Sequence, residues 1–155
     1  MLIRAATADD LEFLTAMLLE AYNWDGTATF TIEGLRADEH AAPYLAGWPR
    51  VDDFGVIAEV DGVPAGAAWA RLIPGGYGFV ADDVPELSLG VSPDFRRRGI
   101  ARALLTELLE AARAASYERL SLSVDPANPA AGLYRSLGFG KVGVAGTSDT
   151  MVVEL

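Results

Sequence analysis

Hydrophobic positions along the chain switch between two spacings, and each switch marks an element. Leu2 to Arg4 reads as a short first strand. Thr7 then fits a helix N-cap, with Asp10 three residues on as an acidic stand-in for the capping-box partner. Leu11, Leu14, Met17, Leu18 and Tyr22 follow at helical spacing, and Asn23-Trp24-Asp25-Gly26 signals the stop. Thr31 fits the cap of a second helix running toward His40 or beyond, which Pro43 interrupts or ends. Gly55 to Val60 and Val63 to Leu72 read as a hairpin about Asp61-Gly62. Pro74-Gly75-Gly76 is a turn, and Gly78 to Pro85 an acidic loop. Leu87, Leu89 and Val91 then alternate with Ser88, Gly90 and Ser92, as do Leu120, Leu122 and Val124 with Ser121, Ser123 and Asp125. Between these two strands, Ala101, Leu104, Leu105, Leu108 and Ala112 form one helical stripe. Strand, helix and strand within ~35 residues make a βαβ unit with a parallel pair. A short helix over about Pro129 to Leu137, ended by Gly138, precedes two closing strands, Gly140 to Val144 and Thr150 to Glu154.

The length of 155 residues fits one domain, residues 1–155, and 51% hydrophobic content suffices for a sizeable core. No apolar run approaches the ~20 residues of a membrane span. The N-terminus lacks the layout of a secretory signal, which suggests the cytoplasm. With no cysteine, disulfides, thiolate metal sites and a cysteine nucleophile are excluded. The single histidine, His40, has no other ligands at metal spacing and sits in an acidic polar stretch, so we expect no metal site and a surface position. A formal net charge of −10 argues against nucleic-acid binding. Against that background Arg96, Arg97, Arg98 and Arg102 stand out, because the chain holds only 12 Lys and Arg.

The arginines lie in Arg96-Arg97-Arg98-Gly99-Ile100-Ala101, between a strand and a helix. The first turn of a helix carries N–H groups without internal partners and partial positive charge, which suits a diphosphate. Gly99 and the small Ala101 let backbone approach phosphate oxygens, and arginines add forked donors. Simple charge balancing does not account for basic residues at the end of a helix whose dipole they oppose. The segment is neither a Walker loop nor a Gly-x-Gly-x-x-Gly fingerprint.

This segment, Arg96-x-x-Gly99-x-Ala101, resembles the Gln/Arg-x-x-Gly-x-Gly/Ala signature of the GNAT superfamily of N-acetyltransferases. Leu89-Gly90-Val91-Ser92-Pro93-Asp94-Phe95 is similar to that family's lead-in. Asn128-Pro129-Ala130-Ala131-Gly132-Leu133-Tyr134 and Leu137-Gly138-Phe139 follow at the family's distance. The resemblance covers Glu86 to Phe139 closely. It implies an α/β, three-layer fold with a mixed central sheet, splayed between two parallel strands, and helices on both faces. It implies acetyl-CoA as co-substrate in the splay. Leu89 and Val91 would pair with the pantetheine amides, and the amides of Arg97, Arg98, Gly99, Ile100, Ala101 and Arg102 would hold the pyrophosphate. Gly90 fits either close ligand approach or plain packing.

The resemblance further implies direct attack by a primary amine, of a small molecule or a protein N-terminus, without a covalent enzyme intermediate. Tyr134 matches the family's tyrosine near the CoA sulfur and is the expected general acid; the alternative is a packed core tyrosine. Asn128 matches a CoA-arm position, or caps a helix. Some family members carry a Glu where Ser123 stands here, so the base falls to Glu86, directly or through a water, or else Glu86 is a solvated carboxylate. Asp125 is the second candidate, or orders the loop before Pro126. Tyr22, Trp24 and Tyr77, with Tyr44 and Trp48, offer aromatic surface for the acceptor, and Asp25, Asp82 and Asp83 offer charge. A homodimer is one oligomeric option. The loss of Glu at Ser123 leaves a second reading, a non-catalytic acetyl-CoA-binding or regulatory module.

Overall fold

Thr7 closes the capping box that its spacing to Asp10 predicts: its side chain accepts from the Asp9 amide, and Asp10 Oδ2 accepts from the Thr7 amide at 2.7 Å. The computed structural model describes residues 1–155. Strand β1 (Leu2–Ala5) is tied to this cap through Arg4, which donates to both Asp10 oxygens at 2.8 Å. Helix α1 (Leu11–Tyr22) buries Leu14, Met17 and Leu18 as expected, whereas Leu11 is left exposed at the first turn.

Thr31 caps helix α2 (Ile32–Ala37), accepting from the Gly34 amide at 3.0 Å. The helix stops short of His40, contrary to expectation. Asp38 turns extended there, and its carboxylate accepts from the amides of His40 and Ala41 at 2.7 and 3.1 Å. That side-chain turn competes with helix continuation. Pro43, the expected stop, lies further on in a separate 3-10 turn, Ala42–Tyr44.

Strands β2 (Phe54–Val60) and β3 (Val63–Arg71) form the predicted hairpin, with Asp61 and Gly62 both at positive φ, 52° and 77°. Strand β4 (Glu86–Val91), helix α3 (Ile100–Ala114) and strand β5 (Arg119–Val124) form the βαβ unit. Helix α4 (Ala130–Ser136), strand β6 (Gly140–Ala145) and strand β7 (Ser148–Glu154) complete the chain. The seven strands run in the order β1-β2-β3-β4-β5-β7-β6. All neighbours are antiparallel except β4 and β5.

Alternation along the strands feeds two cores. Val56, Ala58, Ala68 and Leu87 pack with the α3 stripe Ile100, Leu104, Leu105 and Leu108 and with α4. Ile57, Ala67 and Trp69 pack with α1, α2 and the 41–48 segment on the other face. The result is the three-layer arrangement, with helices on both faces.

The parallel pair is joined at one register position only, Glu86 opposite Ser121. Beyond it the strands part, and the sheet splays as expected. Ser92 N–H bonds Ala65 O, so by alternation the odd residues Leu89 and Val91 turn their backbone groups toward the gap.

Gly90 has a packing role here. A Cβ at this position would lie 2.3 Å from the Met17 carbonyl oxygen on α1, and the β3–β4 register runs through it without a bulge. The absent side chain lets α1 sit against β4, beside the splay. Gly90→Ala should therefore push helix from sheet, costing about 2–3 kcal/mol and lowering Tm by roughly 5–10 °C, as thermal unfolding would show.

Candidate active site

The splay opens a cleft of about 930 Å³, lined by β4, the start of α3, the end of β5, α4 and the aromatic residues of the N-terminal half. Its chemistry divides into an end rich in unpartnered amides and arginines, and a carboxylate at the point where the strands separate.

At the first end, the backbone N–H groups of Arg97, Arg98, Gly99, Ile100, Ala101 and Arg102 have no hydrogen-bond partner within the protein; the first bonded amide of the helix is Ala103, to Gly99 O at 3.1 Å. Arg97 (φ 62°) and Gly99 (φ 77°) are both left-handed, and this alternation curls successive amides into a concave nest. Gly99 is needed for its φ rather than for room, since a Cβ there would meet nothing within 4 Å. A nest at the N-terminus of a 15-residue helix has the donors and the positive potential that suit a phosphate, with no charged side chain required.

The arginines act less uniformly than the sequence suggests. Arg97 and Arg102 line the cleft, and Arg102 donates to Ser136 Oγ on α4 at 3.0 Å. Arg96 also lines it but is held by Glu20 at 2.9 Å and donates to Val91 O at 3.3 Å, so one expected pantetheine partner already has a protein donor. Arg98 does not line the cleft; its guanidinium lies 5.4 Å from the Phe95 ring centre. Ile100 points its side chain into the core and offers only its amide.

At the separation point, Glu86 is only 3% exposed, which removes the solvated-carboxylate alternative. Its Oε2 accepts a 2.5 Å hydrogen bond from the Tyr44 hydroxyl, and its Oε1 has no partner. Burial pushes its pKa up to about 7, against the opposing hydrogen bond from Tyr44 and a weaker pull from the Gly78 amide. Tyr44 is itself anchored at three points: its hydroxyl accepts from the Tyr77 amide at 3.1 Å, its carbonyl accepts from Trp69 Nε1 at 3.0 Å, and its ring is 5% exposed. Arg71 fixes the flanking backbone, donating to Pro43 O and Ala46 O at 2.9 Å, with Asp53 as its buried counter-charge. The 74–78 turn packs over the carboxylate: a Cβ on Gly76 would lie 2.4 Å from Glu86 Oε1.

Leu89, Gly90, Val91, Asn128 and Tyr134 all line the same cleft. Tyr134 sits against Phe139 at 5.7 Å and is largely buried, which pushes its phenol pKa up; its hydroxyl is bonded to no protein group. Asn128 Oδ1 accepts from the Ala130 amide at 2.9 Å, so it caps α4 while facing the cleft. Asp125 orders its loop through the Ala127 amide, the second of its two expected roles.

Of the aromatic candidates, Tyr22, Trp24, Tyr44 and Tyr77 line the cleft, joined by Phe30, which the sequence reading missed. Trp48 does not; it is buried and donates to Thr7 O at 3.1 Å. Asp25, Asp82 and Asp83 also lie outside the lining, and Asp25 is engaged with Thr27. Phe30 gave a weak signal, an isolated ring among threonines, but folds edge-on to Tyr22 at 5.1 Å.

The chain and its fold have known counterparts. The model of the Acetyltransferase (GNAT) family matches residues 15–139. The ribosomal protein bS18-alanine N-acetyltransferase of Salmonella typhimurium is 41% identical over 61 residues, 39% of this chain and 41% of that protein. That of Escherichia coli K12 is 39% identical over the same length. The chain thus spans about 41% of the length of the curated relatives it matches. Among solved structures, the PaiA N-acetyltransferase of Thermoplasma acidophilum, in complex with coenzyme A, superposes with a TM-score of 0.73 at 19% identity, covering 100% of both chains. The ribosomal-protein-alanine N-acetyltransferase of Brucella melitensis gives 0.71 at 28% identity, covering 100% of this chain and 99% of that one. The first likeness speaks for the fold alone.

Proposed function

The chain belongs to the acetyltransferase (GNAT) family, and on that premise we propose that it transfers an acetyl group from acetyl-CoA to a primary amine by direct attack. The observation that carries this reading is the meeting, in one cleft, of the unpartnered amides of residues 97–102 with the buried carboxylate of Glu86 and the free hydroxyl of Tyr134.

The residues fit acetyl-CoA. The nest at α3 suits a diphosphate, the unpaired face of β4 at Leu89 suits an amide-bearing arm, and Asn128 stands across from it. Acetyl-CoA, when bound, supplies the thioester carbonyl that the amine attacks. Glu86 takes the proton from the amine nitrogen through a water, since Oε1, though without a hydrogen-bond partner, is itself buried under the 74–78 turn. Tyr44 holds the other oxygen and fixes the carboxylate's orientation. Tyr134 donates from its hydroxyl to the departing sulfur. Burial keeps that phenol protonated, in the form a donor needs.

The test is release of CoA on a panel of primary amines, followed with a thiol reagent. Amine-dependent release supports transfer; tight acetyl-CoA binding without turnover on any amine contradicts it. For Tyr134→Phe we expect turnover to fall about 5-fold with nearly unchanged CoA affinity. The drop is small for an acid because a thiol of pKa near 8.5 leaves tolerably well unaided. Unchanged turnover would remove Tyr134 from this role.

A further inference from the structure

The cleft wall opposite the α3 nest is unusual in what it lacks. Tyr22, Trp24, Phe30, Tyr44 and Tyr77 contribute rings, and no lysine or arginine from residues 1–90 reaches the lining. The cations of the cleft, Arg96, Arg97 and Arg102, all belong to the start of α3. Arg71 lies behind this wall, but it is 1% exposed and its guanidinium is bound to Asp53, Pro43 O and Ala46 O. Arg96 meets this wall at Glu20, whose carboxylate pairs with it at 2.9 Å, and Glu86 adds a second carboxylate to the same wall.

From this arrangement we infer the acceptor class: a small primary amine on an apolar, aromatic-sized body that carries no carboxylate. The inference rests on the transfer reading above and narrows it. An α-amino acid would bring its carboxylate against a ring-lined wall whose cation, Arg96, is already paired with Glu20, and near the carboxylate of Glu86. A peptide N-terminus would bring backbone amides that need partners. The Tyr44 hydroxyl cannot serve, because it already donates to Glu86 and accepts from the Tyr77 amide, and what remains is the polar tips of Tyr22, Trp24 and Tyr77, with no backbone edge on this wall's rings. An arylalkylamine needs only ring surface and one oxygen for its nitrogen. Phe30 and Tyr77 are 42% and 43% exposed, enough ring surface to receive such a body at the mouth.

The test compares two amines that differ by a carboxylate, 2-phenylethylamine and phenylalanine, with an alanine-ended tripeptide amide as third acceptor, at saturating acetyl-CoA. We expect kcat/KM for phenylethylamine to exceed both others by on the order of 10²-fold, the discrimination an unpaired buried charge supports. Phenylalanine or the tripeptide as the better acceptor would overturn the inference and leave acetyl transfer standing. CoA release with none of these or any other amine, despite acetyl-CoA binding, would overturn the transfer reading and this one with it. Tyr77→Arg adds a second readout. It places a cation at the exposed rim, keeps the backbone amide that bonds Tyr44, and should raise phenylalanine relative to phenylethylamine by at least ~5-fold. An unchanged ratio would contradict the charge argument.

Discussion

Glu86→Gln should lower kcat/KM for the best amine by about 10²–10³-fold while leaving the CoA dissociation constant within about twofold of wild type. The side chain keeps its shape and its hydrogen bond from Tyr44, but Oε1 can no longer take a proton. The wild-type kcat/KM should rise with pH through about 7, where Glu86 ionises, and the variant should lack that limb. Stability should respond in the opposite sense. The folded pKa of about 7 lies above the ordinary carboxyl value of 4.5, so the folded chain holds this proton more tightly than the unfolded chain. The neutral form's contribution is complete below about 4.5 and is lost as pH rises through about 7. Glu86→Gln should thus match wild-type stability at pH 4 and exceed it at pH 8 by on the order of 3 kcal/mol, readable in urea melts at the two pH values. A variant with full activity, or one that loses stability equally at both pH values, would contradict the assignment of Glu86 as a buried, proton-accepting base.

Gly99→Glu should raise the CoA dissociation constant at least ~10-fold, about 1.4 kcal/mol. The expectation has two parts. The left-handed φ of 77° disfavours any side chain by roughly 1–2 kcal/mol and loosens the nest. The new carboxylate also stands where the amides of residues 97–102 collect positive potential, and it competes with a phosphate for them. Gly99→Ala separates the two, because a Cβ meets nothing within 4 Å: it should weaken CoA binding less than the acid does. Isothermal titration of the three proteins measures the series, and equal affinity throughout would place the diphosphate elsewhere.

The run of unpartnered amides at the start of α3 was legible in the sequence because it is local. Arg96 to Arg102 are consecutive, and the strand and helix that flank them announce themselves by period. The parallel pair followed from the same local unit. Glu86 was legible as a candidate but not as a buried one, because what covers it is remote. Tyr44 lies 42 residues upstream, and the turn around Gly76 reads only as punctuation until its contact with Glu86 Oε1 is seen. Gly90 shows a different limit: ligand approach and helix packing require the same residue, and only the nearby Met17 carbonyl decides for packing. Arg96, Arg97, Arg98 and Arg102 looked alike in sequence, but one geometry aims Arg98 at Phe95 and Arg96 at Glu20. The end of α2 was missed because Asp38 stops it through its own side chain, a signal outranked on paper by Pro43.

The proposal that the amides at the start of α3 grip a diphosphate is tested most directly by a crystal structure grown with coenzyme A. The expected result is phosphate oxygens within about 3.2 Å of several amide nitrogens of residues 97–102, with the arm running along β4 at Leu89. Coenzyme A bound with its diphosphate away from this turn, or no binding at millimolar concentration, would contradict it.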